Sequence, residues 1–199
     1  IKDVDSPVIA VSSTITAEGK TFISTNLAAI LAMSGKKILL VGLDLRKPRI
    51  HKIIGINNLT GISNFLIGEK KFDEVIVPTE IENLWYTPAG PVPPNPAELI
   101  ESQAMEEFIR RAKNKYDYII IDTPPMAIVT DALLISAYTD FYLFVVRQRY
   151  SSKNTLELIE ELYNNQNIKN LGIVINDINL RGYYGYGLRY GYLMGYGYS

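Results

Sequence analysis

Two runs of this chain constrain its fold more than any others. Ile38-Leu39-Leu40-Val41 and Tyr118-Ile119-Ile120-Ile121 are continuously apolar, without the alternation of a half-exposed strand. A strand made of either must be covered on both faces, as happens in parallel sheets flanked by helices. The rest of the chain supplies the helices. Strands are expected at Val8–Ser13, Lys37–Asp44, Leu84–Thr87, Tyr116–Asp122, Phe141–Val146 and Leu171–Asn176. Helices are expected at Lys20–Ser34, Ala97–Lys113, Asp131–Tyr138 and Thr155–Tyr163, with small helices and loops over 61–82. In the first helix, Phe22, Ile23, Leu27, Ile30 and Leu31 lie on one side, and Gly35 reads as the stop. Gly90 to Pro96 reads as a rigid loop, and Trp85 as core. Strands alternating with helices give an α/β fold with a mostly parallel sheet and helices on both faces.

The first strand runs into Ser12-Ser13-Thr14-Ile15-Thr16-Ala17-Glu18-Gly19-Lys20-Thr21, and a helix follows. Strand, glycine turn, Lys-Thr and helix form the layout of a phosphate-binding loop. Backbone N–H groups of such a turn, and of the helix start, face phosphate oxygens. Residues Thr16, Ala17, Glu18, Gly19, Lys20, Thr21 and Phe22 are therefore the candidate phosphate cradle. Lys20 is placed to reach the outer phosphates, and the Thr21 hydroxyl to meet magnesium. Thr14 stands where the motif has its first glycine.

Two acids end the long apolar strands. Asp122 is followed by Thr123-Pro124-Pro125, and Asp44 lies in Val41-Gly42-Leu43-Asp44-Leu45-Arg46-Lys47-Pro48. Acids at the carboxyl ends of parallel strands point into the crevice where such sheets bind ligands. Beside the loop they read as a magnesium site with Thr21, and a spare carboxylate there could orient or deprotonate an attacking hydroxyl. Lys20, Asp44 and Asp122 are the candidate catalytic residues.

Several chemistries are excluded. The chain of 199 residues has no cysteine, which removes disulfides and thiolate metal sites, and its one histidine, His51, argues against a histidine-based triad or zinc site. A net charge of −1 gives no argument for nucleic acid. The basic segment Arg46 to Lys52 could grip a phosphate or an acidic partner. Arg147 and Arg149, after a strand end, read as surface salt-bridge residues. No apolar run is long enough to span a bilayer. The chain begins at Ile1, so membrane segments are expected upstream in a longer protein.

With these pieces in view, the sequence resembles the bacterial tyrosine kinases (BY-kinases) of capsule and exopolysaccharide machinery, over almost its whole length. The resemblance is carried by Thr16 to Thr21 with Asn26-Leu27-Ala28, by Gly42 to Pro48, and by Ile119 to Pro125 with Thr130-Asp131-Ala132. Pro93-Pro94-Asn95-Pro96-Ala97-Glu98-Leu99 and the terminal tyrosines add to it. It implies a P-loop NTPase-like fold, Mg²⁺ and ATP as cofactors, and an adenine near Asn176. It also implies homo-oligomers of neighbouring kinase subunits at the cytoplasmic face of the inner (plasma) membrane. The implied partners are a membrane-bound activator or transmembrane polysaccharide co-polymerase portion, in the same or a separate chain, and a tyrosine phosphatase. Two departures stand out. Ala17 replaces a usual glycine, and Gly42 replaces the first aspartate of a usual acid pair.

The last stretch, 181–199, is Gly-Tyr low complexity carrying Tyr183, Tyr184, Tyr186, Tyr190, Tyr192, Tyr196 and Tyr198. The division expected is a kinase domain over 1–180 and a flexible tail over 181–199. Behind a kinase site, such a tail becomes a phosphorylation cluster that one subunit offers to another. Two alternatives stay open. One is a deviant-Walker ATPase, although Thr14 to Ala17 lack the extra lysine of that class. The other is a weakly catalytic, nucleotide-gated assembly component.

Overall fold

A computed structural model of the chain describes residues 4–126, 131–164, 168 and 170–179. The tail tyrosines, Thr130 and the side chain of Asp131 lie outside the described residues. A seven-stranded sheet forms the centre: β1 (Val8–Ser13), β2 (Ile38–Gly42), β3 (Val77–Pro78), β4 (Leu84–Thr87), β5 (Tyr118–Asp122), β6 (Phe141–Arg147) and β7 (Leu171–Asn176). Its order is β3-β4-β2-β5-β1-β6-β7, and every pairing is parallel except β3 with β4. Among the described residues seven helices cover it: α1 (Lys20–Met33), α2 (Ile50–Ile54), α3 (Ile62–Leu66), α4 (Pro96–Ile100), α5 (Gln103–Lys113), α6 (Asp131–Leu134) and α7 (Asn154–Asn164), with short 3-10 turns at Phe72–Val75 and Ile135–Tyr138.

The apolar runs are buried on both sides, as their composition requires. Ile38, Leu40 and Ile120 join Ala28 and Ala32 of α1 in one core cluster. Leu39, Val41, Ile119 and Ile121 point the other way, into a cluster with Phe108 and Ile109 of α5. Phe65, Phe72 and Phe108 stack in that second layer with centroids 5.2–6.3 Å apart. Trp85 is half-buried against Tyr116. Among the described residues no helix is long and apolar enough to cross a membrane.

One local expectation is corrected, and the buried side of α1 is newly defined. The helix expected over Ala97–Lys113 is two helices, because Ser102 leaves the helical conformation and its hydroxyl caps α5 by accepting the Met105 N–H. The buried stripe of α1 is Ser24, Ala28 and Ala32, not the larger residues. Ile23, Leu27 and Leu31 are half-buried at its margin, whereas Phe22 and Ile30 are 60% and 65% exposed. Small side chains let the helix behind the loop lie close on the sheet, contacting β1, β2 and β5.

The register brings the site together. Val11 of β1 and Gly42 of β2 both lie opposite Asp122 of β5. The loop after β1 and the ends of β2 and β5 therefore meet at one place on the carboxyl edge of the sheet, the usual position of ligand crevices in such folds.

Candidate functional site

The loop between β1 and α1 is held open by its neighbours. Gly19, just before α1, has φ +100°. A side-chain carbon on Gly19 would also sit 2.1 Å from Asn176 Nδ2, so any other residue here is strained by the backbone and must displace the Asn176 amide as well. Three successive carbonyls of the loop accept hydrogen bonds from outside it. Tyr150 Oη donates to Thr16 O (3.2 Å), Arg147 Nη1 to Ala17 O (3.1 Å) and Asn176 Nδ2 to Glu18 O (2.9 Å). In a trans peptide the next N–H points opposite to the carbonyl. Anchoring these carbonyls therefore turns the N–H groups of Ala17, Glu18 and Gly19 the other way, the orientation an anion cradle needs.

Glu18 completes the scaffold. Its side chain is fully buried, accepts the Ile15 N–H (2.8 Å) and takes a hydrogen bond from the Ser151 hydroxyl. The same hydroxyl accepts the Arg147 N–H (2.8 Å), and the Arg147 guanidinium pairs with Asp177 (3.0 Å) and lies 5.1 Å from the Tyr150 ring centroid. Arg147 thus makes the expected salt bridge and also serves the loop. Tyr150 and Ser151 were not legible as site residues. Ser151→Ala is expected to cost about 2 kcal/mol, because the buried Glu18 carboxylate loses one of its donors. Urea unfolding of the variant checks it.

Ala17 has φ +67°, so the departure at this position is a strained one. Left-handed backbone costs a non-glycine residue about 1–2 kcal/mol. The extra freedom of glycine in the unfolded chain takes back up to about 1 kcal/mol. Ala17→Gly is therefore expected to stabilise the protein modestly, raising its melting temperature by about 1–3 °C. Thermal melting without ligand measures the effect.

Lys20, Thr21, Asp44 and Asp122 form one cluster. Thr21 Oγ1 donates to Asp122 Oδ2 at 2.9 Å, and Ser24 Oγ donates to Oδ1 at 3.3 Å. Lys20 Nζ lies 3.3 Å from Asp122 and 4.0 Å from Asp44. Asp44 also accepts the Lys47 N–H at 3.0 Å. Burial pushes the Asp122 carboxyl above the ordinary aspartate range, with Lys20 opposing the shift. One ammonium faces two carboxylates, so the cluster carries a surplus negative charge suited to a divalent cation.

A cavity of about 250 Å³ opens over this cluster, lined by Thr16, Ala17, Gly19, Lys20, Thr21 and Asp44 together with Arg46, Lys47, Arg49, Ile53 and Pro124-Pro125. Four cations against one acid suit a polyphosphate. Among the described residues the buried Thr14 hydroxyl has no hydrogen-bond partner. Among the described residues no group of three or more His, Asp or Glu side chains could hold a metal alone. Thr21 with two acids fits a magnesium that draws its other ligands from phosphate and water. The residues present therefore fit a Mg²⁺-nucleotide. Asn176 sits against the Glu18 backbone rather than in the cavity wall, and Phe22 also lies outside that wall.

Comparison with known proteins agrees with this geometry. The sequence model of the AAA domain family matches residues 6–175. A putative tyrosine-protein kinase, CapB, of Staphylococcus aureus is 36% identical over 183 residues, covering 90% of this chain and 80% of CapB. The tyrosine-protein kinase wzc of Salmonella typhi is 37% identical over 179 residues; the match covers 89% of this chain, which spans only 24% of that longer protein. Among solved structures, the kinase domain of the Escherichia coli tyrosine kinase ETK superimposes with a TM-score of 0.84 at 28% identity, covering 98% of this chain and 73% of that one. The septum site-determining protein MinD of Pyrococcus horikoshii, complexed with Mg-ADP, superimposes with a TM-score of 0.68 at 25% identity, covering 84% of this chain and 68% of that one. A chain with these matches and this site belongs to the AAA domain family of P-loop proteins and, within it, to the bacterial tyrosine-protein kinases.

Proposed function

We propose that this chain is an ATP-dependent protein-tyrosine kinase whose acceptors are its own tail tyrosines, Tyr183, Tyr184, Tyr186, Tyr190, Tyr192, Tyr196 and Tyr198, offered to a neighbouring subunit. The observation that carries this is the Lys20–Thr21–Asp44–Asp122 cluster at the floor of a cationic cavity, in a chain that ends in a tyrosine cluster. Mg-ATP, when bound, supplies the phosphoryl group with part of its charge neutralised. Lys20 and the loop N–H groups balance phosphate charge and hold it still. Thr21 and Asp122 hold the cation side. Asp44, at the cavity wall, orients the acceptor hydroxyl and takes its proton, which a phenol of pKa about 10 does not release unaided at neutral pH. Most of the rate enhancement comes from positioning and charge.

In this proposal the kinase works at the cytoplasmic face of the bacterial plasma membrane, with a membrane-bound activator or transmembrane co-polymerase portion, and a tyrosine phosphatase resets it. Each phosphate adds roughly 1.5 to 2 negative charges, so modified tails repel one another and release the assembly. That regulates polysaccharide polymerisation and export. Light scattering before and after ATP treatment tests the switch, and an unchanged mass would count against it.

A second reading is hydrolysis by water, or nucleotide gating without turnover, favoured by the single aspartate in the β2 loop where Gly42 stands. Labelled ATP with Mg²⁺ separates the readings. Label on tail tyrosines supports the kinase, free phosphate alone supports the ATPase, and binding without turnover supports the gate.

A further inference from the structure

Gly42 leaves a gap beside the acid cluster, and a buried phenol fills it. A side-chain carbon built on Gly42 would lie 3.0 Å from the Tyr86 hydroxyl and 3.6 Å from its ring. Tyr86 is 1% exposed and sits on β4, opposite Leu40 of β2. Gly42 itself lies opposite Asp122. Alternation along the strands places Leu40, Gly42, Tyr86, Ile120 and Asp122 on the α1 side of the sheet. The phenol thus crosses the end of β2, over a residue with no side chain, toward the buried carboxylate.

The rest of the cluster gives this hydroxyl a task. Asp122 is held by Thr21, Ser24 and Lys20. Lys20 also lines the cavity, so a phosphate bound there competes for its ammonium. Asp122 then needs another donor on its β2 side, and a neutral phenol supplies one without adding charge. A carboxylate at position 42 would instead put a third negative charge beside Asp44 and Asp122.

The geometry points to Tyr86 as a positioning residue of the nucleotide site, its hydroxyl reaching over Gly42 to hold Asp122 in place for the magnesium. This rests on the nucleotide reading of the cavity. Two variants act on the same hydroxyl by different routes. Tyr86→Phe deletes it, and Gly42→Ala puts a methyl carbon 3.0 Å from it, so that it must give way by a few tenths of an ångström.

The test is the Mg²⁺ dependence of fluorescent ADP binding to the full chain, which needs no turnover. Tyr86→Phe is expected to raise the Mg²⁺ concentration for half-maximal binding by about tenfold, the loss of one hydrogen bond near a charge, and Gly42→Ala, which only shifts the hydroxyl, to raise it less. Affinity for the nucleotide without Mg²⁺ is expected to stay within about twofold, since the phosphate-binding loop is untouched. The double variant is expected to behave like Tyr86→Phe, because the methyl group acts through a hydroxyl that is already gone. Unchanged Mg²⁺ dependence in Tyr86→Phe, or additive effects in the double variant, would overturn the role of Tyr86. Failure of the parent itself to bind nucleotide would instead sink the reading on which it rests. A purely structural Tyr86 would lower the melting temperature and leave the Mg²⁺ midpoint where it was.

Discussion

Lys20→Met is expected to abolish measurable transfer of phosphate to the tail, with a fall on the order of 10³-fold or more, and to weaken the fold at the same time. In the proposed mechanism Lys20 neutralises phosphate charge, and one such donor is worth about 10²–10³ in rate. The stability loss follows from the cluster's charge balance. Lys20 is within 4.0 Å of both Asp44 and Asp122, and Asp122 is 2% exposed. Taking the base from a buried pair leaves an uncompensated carboxylate and costs about 3 kcal/mol. That corresponds to roughly 6–12 °C in melting temperature for a chain of this size.

The sign of the pH effect is fixed by Asp122. Its folded carboxyl already lies above the ordinary range because it is buried, and Lys20 is the chief influence pulling it back. Without Lys20 the folded value rises further. Below about pH 3.9, the value in an unfolded chain, the group is protonated in both states and carries no penalty. Stability is then lost as the pH rises through the folded value. The deficit of the variant is therefore expected to be smaller at pH 5 than at pH 8. Intact-mass analysis after expression measures the first effect, with phosphate on the parent and none on the variant. Paired melts at the two pH values measure the second. Equal deficits at both would mean that Asp122 is not the group left stranded.

Asp122→Asn is expected to separate function from stability. Mg²⁺-dependent transfer falls by a factor on the order of 10³, because the buried acid that faces Thr21 and the cation is gone. The fold is expected to hold, or to gain up to about 1 kcal/mol. The substitution keeps the shape, removes a charge that burial opposes, and leaves Lys20 with Asp44 as a balanced pair. Melting with and without Mg-ADP reads both effects. The parent shifts upward with the ligand by mass action, while the variant starts at or above the parent and shows no Mg²⁺-dependent rise. A variant that melts far below the parent without ligand would show Asp122 to be a structural acid first.

Much of this was legible in the sequence, for reasons that differ by element. β1, β4 and β7 were visible residue for residue, since short apolar runs bounded by turn residues leave few choices. The four-residue cluster was legible as well. Strand ends in a parallel sheet converge on one edge, so Lys20-Thr21, Asp44 and Asp122 were bound to meet. The buried stripe of α1 was not legible, because hydrophobicity counts large residues. The contact that matters there is close approach, made by Ser24, Ala28 and Ala32. The break at Ser102 was hidden by apolar spacing that runs on from Leu99 and Ile100 to Met105 and Phe108.

The outer clamp of the loop was legible only in fragments: Asn176 was named through a resemblance and Arg147 as a salt-bridge residue, Tyr150 and Ser151 not at all. All four act on residues 16–18 from 130 or more positions away, through single hydrogen bonds that leave no periodic trace. Tyr86 was equally invisible. A buried aromatic on a strand reads as core until the empty side of Gly42 shows where its hydroxyl goes.

The central claim is that the crevice above β1, β2 and β5 holds a triphosphate through Lys20 and Thr21, with magnesium on the side of the two acids. A crystal structure with Mg²⁺ and a non-hydrolysable ATP analogue tests this most directly. The account requires the outer phosphates on the N–H groups of residues 17–21 with Lys20 turned onto them, and the metal beside Thr21 within reach of Asp44 and Asp122. Nucleotide bound elsewhere, or bound there with the metal remote from both acids, would contradict it.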